Sequence, residues 1–189
     1  MNVLRRVRVG CRPMLEGDRV VLRPVQAWDR ERLYELVETI EVRALSHTDP
    51  PLPVSLEEVE ARDRRWIEER HTDSAWFAID VDAETIGMCG LHEIDHYHQR
   101  AAVGIRIGKP YWGRGHGQDA VRTLVDYGFS QLNLVKISLQ VLADDERAVG
   151  AYRKVGFVEE GRLRDHTWFD GMRRDELVMA VLRDDWKPA

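Results

Sequence analysis

The chain has 189 residues, which suffice for one domain with a substantial core and leave little room for a second. Hydrophobic residues make up 43% and charged residues 32%, a composition typical of a globular protein. The net charge of -5 provides no overall positive field for a nucleic-acid backbone. No apolar stretch approaches the roughly 18 residues that a membrane-spanning helix needs. We therefore expect neither nucleic acids nor membranes among the partners.

The chain begins with a short basic segment. Residues 1–14 contain four arginines and no acidic side chain. They lack the apolar stretch of a secretory signal and the serines of a transit peptide, so we expect a loose basic tail before a domain at residues 15–189. Cys11 and Cys89 are the only cysteines. Two thiols so far apart favour a reducing, cytoplasmic location over a disulfide framework.

Up to about residue 70 the sequence predicts one strand and two helices. Residues 19–23 are a short run of strand-forming residues that stops at Pro24. Apolar residues at positions 33, 36, 37 and 40 recur with the spacing of an amphipathic helix. Ser55 and Glu58 have the spacing of a capping box, which predicts that a second helix starts there and ends near residue 70.

Three strands are predicted in the middle of the chain, at residues 75–81, 85–94 and 101–107. Short polar links join them, so we expect an antiparallel meander. A helix then follows, with Asn133 as a left-handed cap after its end. The apolar face of this helix comprises Val121, Leu124, Val125 and Gly128.

The last part of the chain predicts one more helix and three strands. Residues 135–141 are rich in β-branched side chains, as in a strand. A helix from Glu146 to Val155 should end at Gly156, since glycine is the usual residue after a helix. The Asp170-Gly171 dipeptide is a strong signal for a two-residue turn that joins the last two strands.

A glycine-rich segment carries the clearest chemical signal. Gly113, Gly115 and Gly117 let a backbone approach a ligand closely and expose successive N–H groups, and the helix behind them adds its positive end. Together these features predict a pyrophosphate site. The segment lacks the Gly-Lys-Ser/Thr of a Walker loop, and its last spacing is one residue short of a dinucleotide-binding fingerprint. A purely structural glycine turn is the alternative.

Four segments in this order resemble acetyltransferases of the GNAT superfamily. The resemblance lies in residues 15–24, 103–117 and 148–157 and in the hairpin through Asp170-Gly171, with Asp175 beyond it. It covers about residues 15–186 and is greatest for the branch of ribosomal-protein N-terminal and polyamine acetyltransferases. The resemblance implies an α/β (α+β) fold: a mixed, mostly antiparallel twisted sheet of about seven strands, flanked by about four helices.

The resemblance also implies acetyl-CoA as cosubstrate. Trp112 departs from the Arg or Gln of many relatives, and Asp145 from their Asn. The alternative interpretation of Asp145 is a cap of the following helix. The residues that would contact acetyl-CoA are Ile105, Arg106, Ile107, Trp112, Gly113, Arg114, Gly115, His116, Gly117, Asp145, Ala148 and Tyr152.

The same resemblance implies direct attack of an amine on the thioester, with Tyr152 as the general acid that protonates the departing thiolate. Ala102 stands where this branch often has a glutamate, so the general base must lie elsewhere. We favour Glu93 as this base. His92, His96 or a water chain to any of these groups are the alternatives.

The sequence therefore predicts an N-acetyltransferase whose acceptor is a primary amine of a protein N-terminus, polyamine, aminoglycoside-like drug or amino acid. A second copy of the chain is a candidate partner. The alternatives are a non-catalytic acetyl-CoA-binding module and, more distantly, a nucleotide-binding oxidoreductase. The histidines at 92, 96 and 98 invite a metal site, but they lie in a predicted polar link, where we expect solvated side chains and no metal.

Overall fold

The computed structural model describes residues 14–45, 52–68 and 72–187. All but the last residue of the predicted basic tail lies outside these residues, as do Cys11 and the predicted helix end near residue 70. Among the residues described, no helix is both long and apolar enough to span a membrane.

Eight strands form one sheet in the described part of the chain. They are β1 (Leu15–Glu16), β2 (Val21–Pro24), β3 (Ala75–Val81), β4 (Glu84–Asp95), β5 (Arg100–Ile107), β6 (Lys136–Leu142), β7 (Val158–Phe169) and β8 (Met172–Leu182). Their order is β1-β2-β3-β4-β5-β6-β8-β7, and only β5 and β6 pair in parallel. This confirms the predicted mixed, mostly antiparallel sheet, including the meander of β3, β4 and β5.

The described residues also form five α-helices. They are α1 (Arg30–Val37), α2 (Ile40–Ala44), α3 (Leu56–Glu68), α4 (His116–Ser130) and α5 (Glu146–Val155). The predicted capping box is present at the start of α3, because the Ser55 amide donates to Glu58 Oε2 at 2.7 Å and the Glu58 amide to Ser55 Oγ at 3.2 Å. The bounds of α5 and its left-handed Gly156 end are confirmed.

The prediction of one amphipathic helix that includes residue 40 was wrong. Thr39 accepts a hydrogen bond from the amide of Val42 and so caps a separate helix, α2. Ile40 therefore begins α2 and is 69% exposed rather than buried. Because of this division, the described residues form five α-helices instead of the predicted four or so.

The first predicted strand was also placed too early. The backbone amides of Asp18, Arg19 and Val20 donate to the buried carboxylate of Asp119, which lies in the first turn of α4. Those amides are occupied by a side chain, so regular pairing in β2 begins at Val21. The same contact ties the start of the sheet to the start of α4.

A fully buried arginine stabilises the first half of the sheet. Arg23 on β2 donates to Asp29 at 2.7 and 2.8 Å and to Asp80 at 2.7 and 3.1 Å, and its Nη2 also donates to Thr85 at 2.9 Å. The two carboxylates hold the pKa of Arg23 well above its usual range, despite the opposing effect of burial. The network joins β2, β3 and the start of β4 to the start of α1.

The feature that matters for function is the separation of β5 from β6. The two strands pair only where Arg100, Ala101 and Ala102 face Lys136, Ile137 and Ser138. Beyond Ala102 they diverge. Helix α4 covers one face of the sheet here, since a Cβ atom at Gly117 would lie 3.4 Å from Ile107 Cδ1. Helix α1 covers the other face, since a Cβ atom at Gly108 would lie 2.6 Å from Leu36 Cδ2.

Candidate active site

A cleft of about 490 Å³ opens where β5 and β6 separate. Strand β5, the loop before α4 and the first turns of α4 and α5 form its walls. All the predicted acetyl-CoA-contacting residues line this cleft except Arg114. Arg114 is exposed, with its guanidinium 6.0 Å from the centroid of the Tyr111 ring. The structure thus gathers residues that lie up to 47 positions apart, from Ile105 to Tyr152, around one cavity.

The glycine-rich loop has the backbone that an anion site requires. Gly113 and Gly115 have φ angles of 73° and 82°, in the left-handed region that favours glycine. Gly115 is the N-cap of α4, and it has no side chain to occupy the amides of the first turn. These amides and the positive end of the helix therefore face the cleft without a capping group.

His116, the first residue of α4, adds a ring nitrogen that has no hydrogen-bond partner in the described residues. This atom, Nδ1, is buried. Burial, followed by the charges of Arg114 and Arg19, lowers the pKa of His116. A buried ring nitrogen without a partner fits a site whose ligand supplies the missing hydrogen bond.

Trp112 links the two walls of the cleft. Its indole N–H donates to the carbonyl of Ile107 at 2.6 Å, and the guanidinium of Arg147 on α5 lies 4.6 Å above its ring. Sequence reasoning missed Arg147, although an arginine in the first turn of the predicted cofactor helix was a visible signal. It also missed Arg19, whose side chain would lie 3.8 Å from a Cβ atom at Gly115.

Asp145 caps α5, as the alternative interpretation held. Its Oδ1 accepts from the amide of Ala148 at 2.9 Å, and its Oδ2 lies 3.2 Å from Arg147 Nη2. The carboxylate is therefore engaged with its own helix and its neighbour.

Tyr152 lies two turns along α5 and faces the cleft. Its ring packs edge-on against Phe157, with centroids 5.9 Å apart. Burial is the main reason that its pKa is raised to about 12; Asp145 adds to this effect and Arg147 opposes it. The hydroxyl is therefore protonated throughout the neutral range and is available as a proton donor.

The predicted general base does not line the cleft. Glu93 lies at an irregularity in the β4–β5 pairing, has a φ angle of 53°, and its side chain is 82% exposed. Its Oε1 is 3.9 Å from Nδ1 of His92. His96 Nε2 forms a 3.0 Å hydrogen bond with the carbonyl of Thr72, outside the cleft. In the described segments no group of His, Cys, Asp and Glu side chains could hold a metal ion.

A family model for the acetyltransferase (GNAT) domain matches residues 19–158. The chain belongs to the GNAT acetyltransferase family. This confirms the resemblance and the fold class predicted from the sequence. The glycine loop before α4 and the divergence of β5 from β6 are thus features of a domain of this family.

Curated relatives and solved structures agree with this assignment. The chain is 36% identical over 110 residues to the spermidine N(1)-acetyltransferase of Escherichia coli, which covers 58% of this chain and 59% of that protein. It is 30% identical over 186 residues to the uncharacterised N-acetyltransferase YoaA of Bacillus subtilis, covering 90% and 97% of the two chains. The chain thus matches about three fifths of the first protein's length and nearly all of the second's.

The solved structure of the spermidine N-acetyltransferase of Vibrio cholerae in complex with CoA and spermine is similar throughout. The TM-score is 0.81 and the sequence identity 27%, and the match covers 89% of this chain and 98% of that one. That protein therefore holds CoA in the same fold.

Proposed function

We propose that this protein transfers an acetyl group from acetyl-CoA to a primary amine. The observation that carries the proposal is the cleft between β5 and β6, which has an anion-binding loop at one end and the hydroxyl of the partly buried Tyr152 on its wall. The non-catalytic alternative is less favoured, since a merely binding module has no need of a proton donor in the cleft.

The residues fit acetyl-CoA as a cosubstrate. The uncapped amides of α4, the loop from Trp112 to Gly117 and His116 would hold its pyrophosphate. The backbone of β5 from Ile105 to Ile107, which does not pair with β6, would pair with its amide-bearing arm, as an added strand does. When bound, acetyl-CoA supplies a thioester carbonyl that an amine can attack.

Two proton transfers accompany that attack. Tyr152 donates a proton to the departing sulfur, since its raised pKa keeps the hydroxyl protonated at neutral pH. At the acceptor, a primary amine with a pKa of about 10 is only about 0.1% neutral at pH 7, so its proton must be removed. The sequence-based hypothesis assigns this step to Glu93, and it stays a prediction.

A polyamine is the first acceptor to test. Support comes from the relatives that are named spermidine acetyltransferases, and the net charge of -5 favours a cationic acceptor. We further propose a cytoplasmic protein in which residues 15–189 form the catalytic domain behind the basic tail, and in which two copies associate. Size-exclusion chromatography with light scattering would test that association.

The decisive experiment measures binding and transfer separately. Isothermal titration calorimetry with acetyl-CoA should show saturable binding, and NAD should show none, which separates this function from a nucleotide-binding oxidoreductase. A thiol reagent then monitors CoA release with spermidine, a tetrapeptide with a free N-terminus, lysine and an aminoglycoside. Binding without transfer to any amine would favour the non-catalytic module, and absence of binding would refute the proposal.

A further inference from the structure

Two glycines on neighbouring strands make room for a tryptophan. Gly90 on β4 and Gly104 on β5 face each other in the pairing, and Trp76 on β3 is in register with Gly90. A Cβ atom at Gly90 would lie 2.6 Å from the Trp76 ring, and one at Gly104 would lie 2.7 Å from its Cη2. The indole therefore lies flat across the backbone of β4 and β5, which only glycine permits at these positions.

His92 lies on this platform. Its ring is parallel to the Trp76 ring within 3°, with centroids 6.0 Å apart. His92 pairs with Ala102, and its Cδ2 would lie 3.5 Å from a Cβ atom at Gly104. The imidazole thus lies over β5 at Gly104, the residue before Ile105. Ile105 is the first residue of that strand to line the cleft, and His92 itself is not among the lining residues.

The two faces of β5 have different neighbours. Ile105 and Ile107 point towards α4, on the side of the glycine loop and α5. Gly104 and Arg106 alternate with them and point to the opposite side, where His92 lies. Arg106 also lines the cleft, so the cavity passes between the strands and reaches that second face.

This arrangement decides where an acceptor amine must come from. The cosubstrate would occupy the face of α4 and α5, so an amine reaches the thioester from the other face, through the gap beyond Ala102 and Ser138. A group that takes the proton of the amine must lie on that second face. His92 meets this condition. His96 instead forms a hydrogen bond with the carbonyl of Thr72, and the side chain of Glu93 is exposed to solvent.

We propose that His92 is the catalytic base of the acetyl transfer, with Glu93 as its positioning residue. The inference rests on the proposed function and deepens it. Nε2 of His92 takes one proton from the ammonium form of the acceptor and later releases it to solvent, and the neutral nitrogen forms a bond to the thioester carbon. The carbon–sulfur bond breaks as Tyr152 donates its proton to the sulfur. The nitrogen, now bonded to the acetyl carbon, loses its second proton, which returns through water to the Tyr152 phenolate. The products are an acetamide, CoA and one proton.

Glu93 acts through His92 in this scheme. Its Oε1 lies 3.9 Å from Nδ1, on the ring edge away from Nε2, and this contact orients the ring. Other charged side chains on this face of the sheet include Arg100 and Arg106 on β5 and Lys136 on β6, and Glu38, the residue after α1, lies within 4.0 Å of Arg106. Arg100 also lies 3.5 Å from Asp95 and Lys136 lies 2.6 Å from Glu160.

The test compares pH profiles of kcat/KM with the best acceptor of the amine panel, at saturating acetyl-CoA. Wild-type kcat/KM should rise with pH along one limb below the ionisation of the amine itself, near pH 10. His92→Gln should remove that limb and lower kcat/KM by about 10²- to 10⁴-fold, with an unchanged acetyl-CoA Kd. Added imidazole should restore part of the rate to His92→Ala. The matched control is His98→Gln, an exposed histidine in the next turn, which should behave as wild type.

Glu93→Gln separates the two roles. If Glu93 positions His92, this variant keeps the limb, because Nε2 of His92 still accepts the proton. Its rate should fall by less than about tenfold. If Glu93→Gln abolishes the limb while His92→Gln keeps it, Glu93 is the base and the inference is wrong.

Two further results would also overturn it. A limb that survives in His92→Gln, even at reduced rate, would make the histidine structural, and failure of imidazole to rescue His92→Ala would point the same way. Circular dichroism and acetyl-CoA binding establish that each variant is folded. A wild-type protein that binds acetyl-CoA but acetylates no amine would instead refute the proposed function, and the inference with it.

Discussion

The guanidinium of Arg23 and the hydroxyl of Tyr152 are both held inside the domain, but their surroundings differ. Arg23 is fully buried, and Asp29, Asp80 and Thr85 accept its hydrogen bonds. Tyr152 lies on the wall of a cleft in which the first amides of α4 have no side-chain cap and Nδ1 of His116 has no partner in the described residues. In the first half of the sheet, polar side chains form hydrogen bonds with one another. At the separated strands, the first amides of α4 and Nδ1 of His116 are available to a ligand.

The difference shows how one sheet serves two purposes. The network around Arg23 locks β2, β3 and the start of α1, so that half can be rigid without a ligand. The other half gives up the pairing of β5 with β6 beyond Ala102, and the first turn of α4 there has no side-chain cap. Changes near Arg23 should therefore reduce stability, and changes in the cleft should reduce binding or turnover.

The largest effect is expected from Tyr152→Phe. Loss of the hydroxyl removes the proton donor to the departing sulfur, so kcat should fall by about 10²- to 10⁴-fold with little change in the acetyl-CoA Kd. Steady-state kinetics and calorimetry measure the two quantities. Tyr127→Phe, which alters a tyrosine packed edge-on against Phe77, is the control. Wild-type turnover in Tyr152→Phe, with chemistry limiting the rate, would make the tyrosine structural.

Arg23→Met should have the largest effect on stability. The change leaves the buried carboxylates of Asp29 and Asp80 without their cation, which costs about 3–5 kcal/mol of unfolding free energy. Urea denaturation measures this loss. Arg32→Met is the matched control, because Arg32 is part of an exposed pair with Glu84 and should cost at most about 1 kcal/mol. Equal losses of unfolding free energy in the two variants would show that the buried Arg23 network stabilises the fold no more than an exposed ion pair does.

Gly115→Val tests the anion site. The new side chain would obstruct the uncapped amides and lose about one charge-assisted hydrogen bond, so the acetyl-CoA Kd should rise roughly tenfold to a hundredfold. Gly171→Val is the control, since Gly171 has a similar φ angle of 77° and equally open surroundings but lies in the β7–β8 turn. Both variants share the backbone strain, so only Gly115→Val should change affinity. An unchanged Kd in a folded Gly115→Val protein would refute the phosphate-loop assignment.

The smallest and most gradual effect is expected on acidification. Although burial opposes it, hydrogen bonds from Arg23 hold the pKa of Asp29 below its ordinary value. A lowered folded-state pKa adds stability above the unfolded value of about 3.9, and this contribution is lost as the pH falls through the folded-state pKa. Urea midpoints between about pH 6 and pH 3 should therefore decline in the wild type. The decline should be shallower in Arg23→Met, where Asp29 lacks its partner, and an equal slope would contradict this cause.

Local signals in the sequence predicted much of the fold. The bounds of α5, the capping box of α3 and the turn at Asp170-Gly171, where both residues have positive φ angles, are encoded within a few residues. The glycine loop was visible for the same reason, because Gly113 and Gly115 occupy backbone conformations that other residues rarely adopt. Family resemblance rather than periodicity indicated which residues would line the cleft.

Long-range contacts could not be predicted in this way. Asp119 accepts hydrogen bonds from the amides of Asp18, Arg19 and Val20, about 100 residues earlier. For this reason β2 begins at Val21 and not at the predicted residue 19. A capping threonine inside an apolar repeat divided α1 from α2, which periodicity alone did not show.

What the sequence determined by itself was the family, the order of the elements and the glycine loop. Only the tertiary structure decided which side chains meet. It placed the guanidinium of Arg147 over the ring of Trp112 and the imidazole of His92 next to Gly104. It also left the side chain of Glu93 exposed to solvent beside His92. The physical reason is that a backbone turn depends on neighbouring residues, whereas a contact between strands depends on the register of the whole sheet, which no single segment contains.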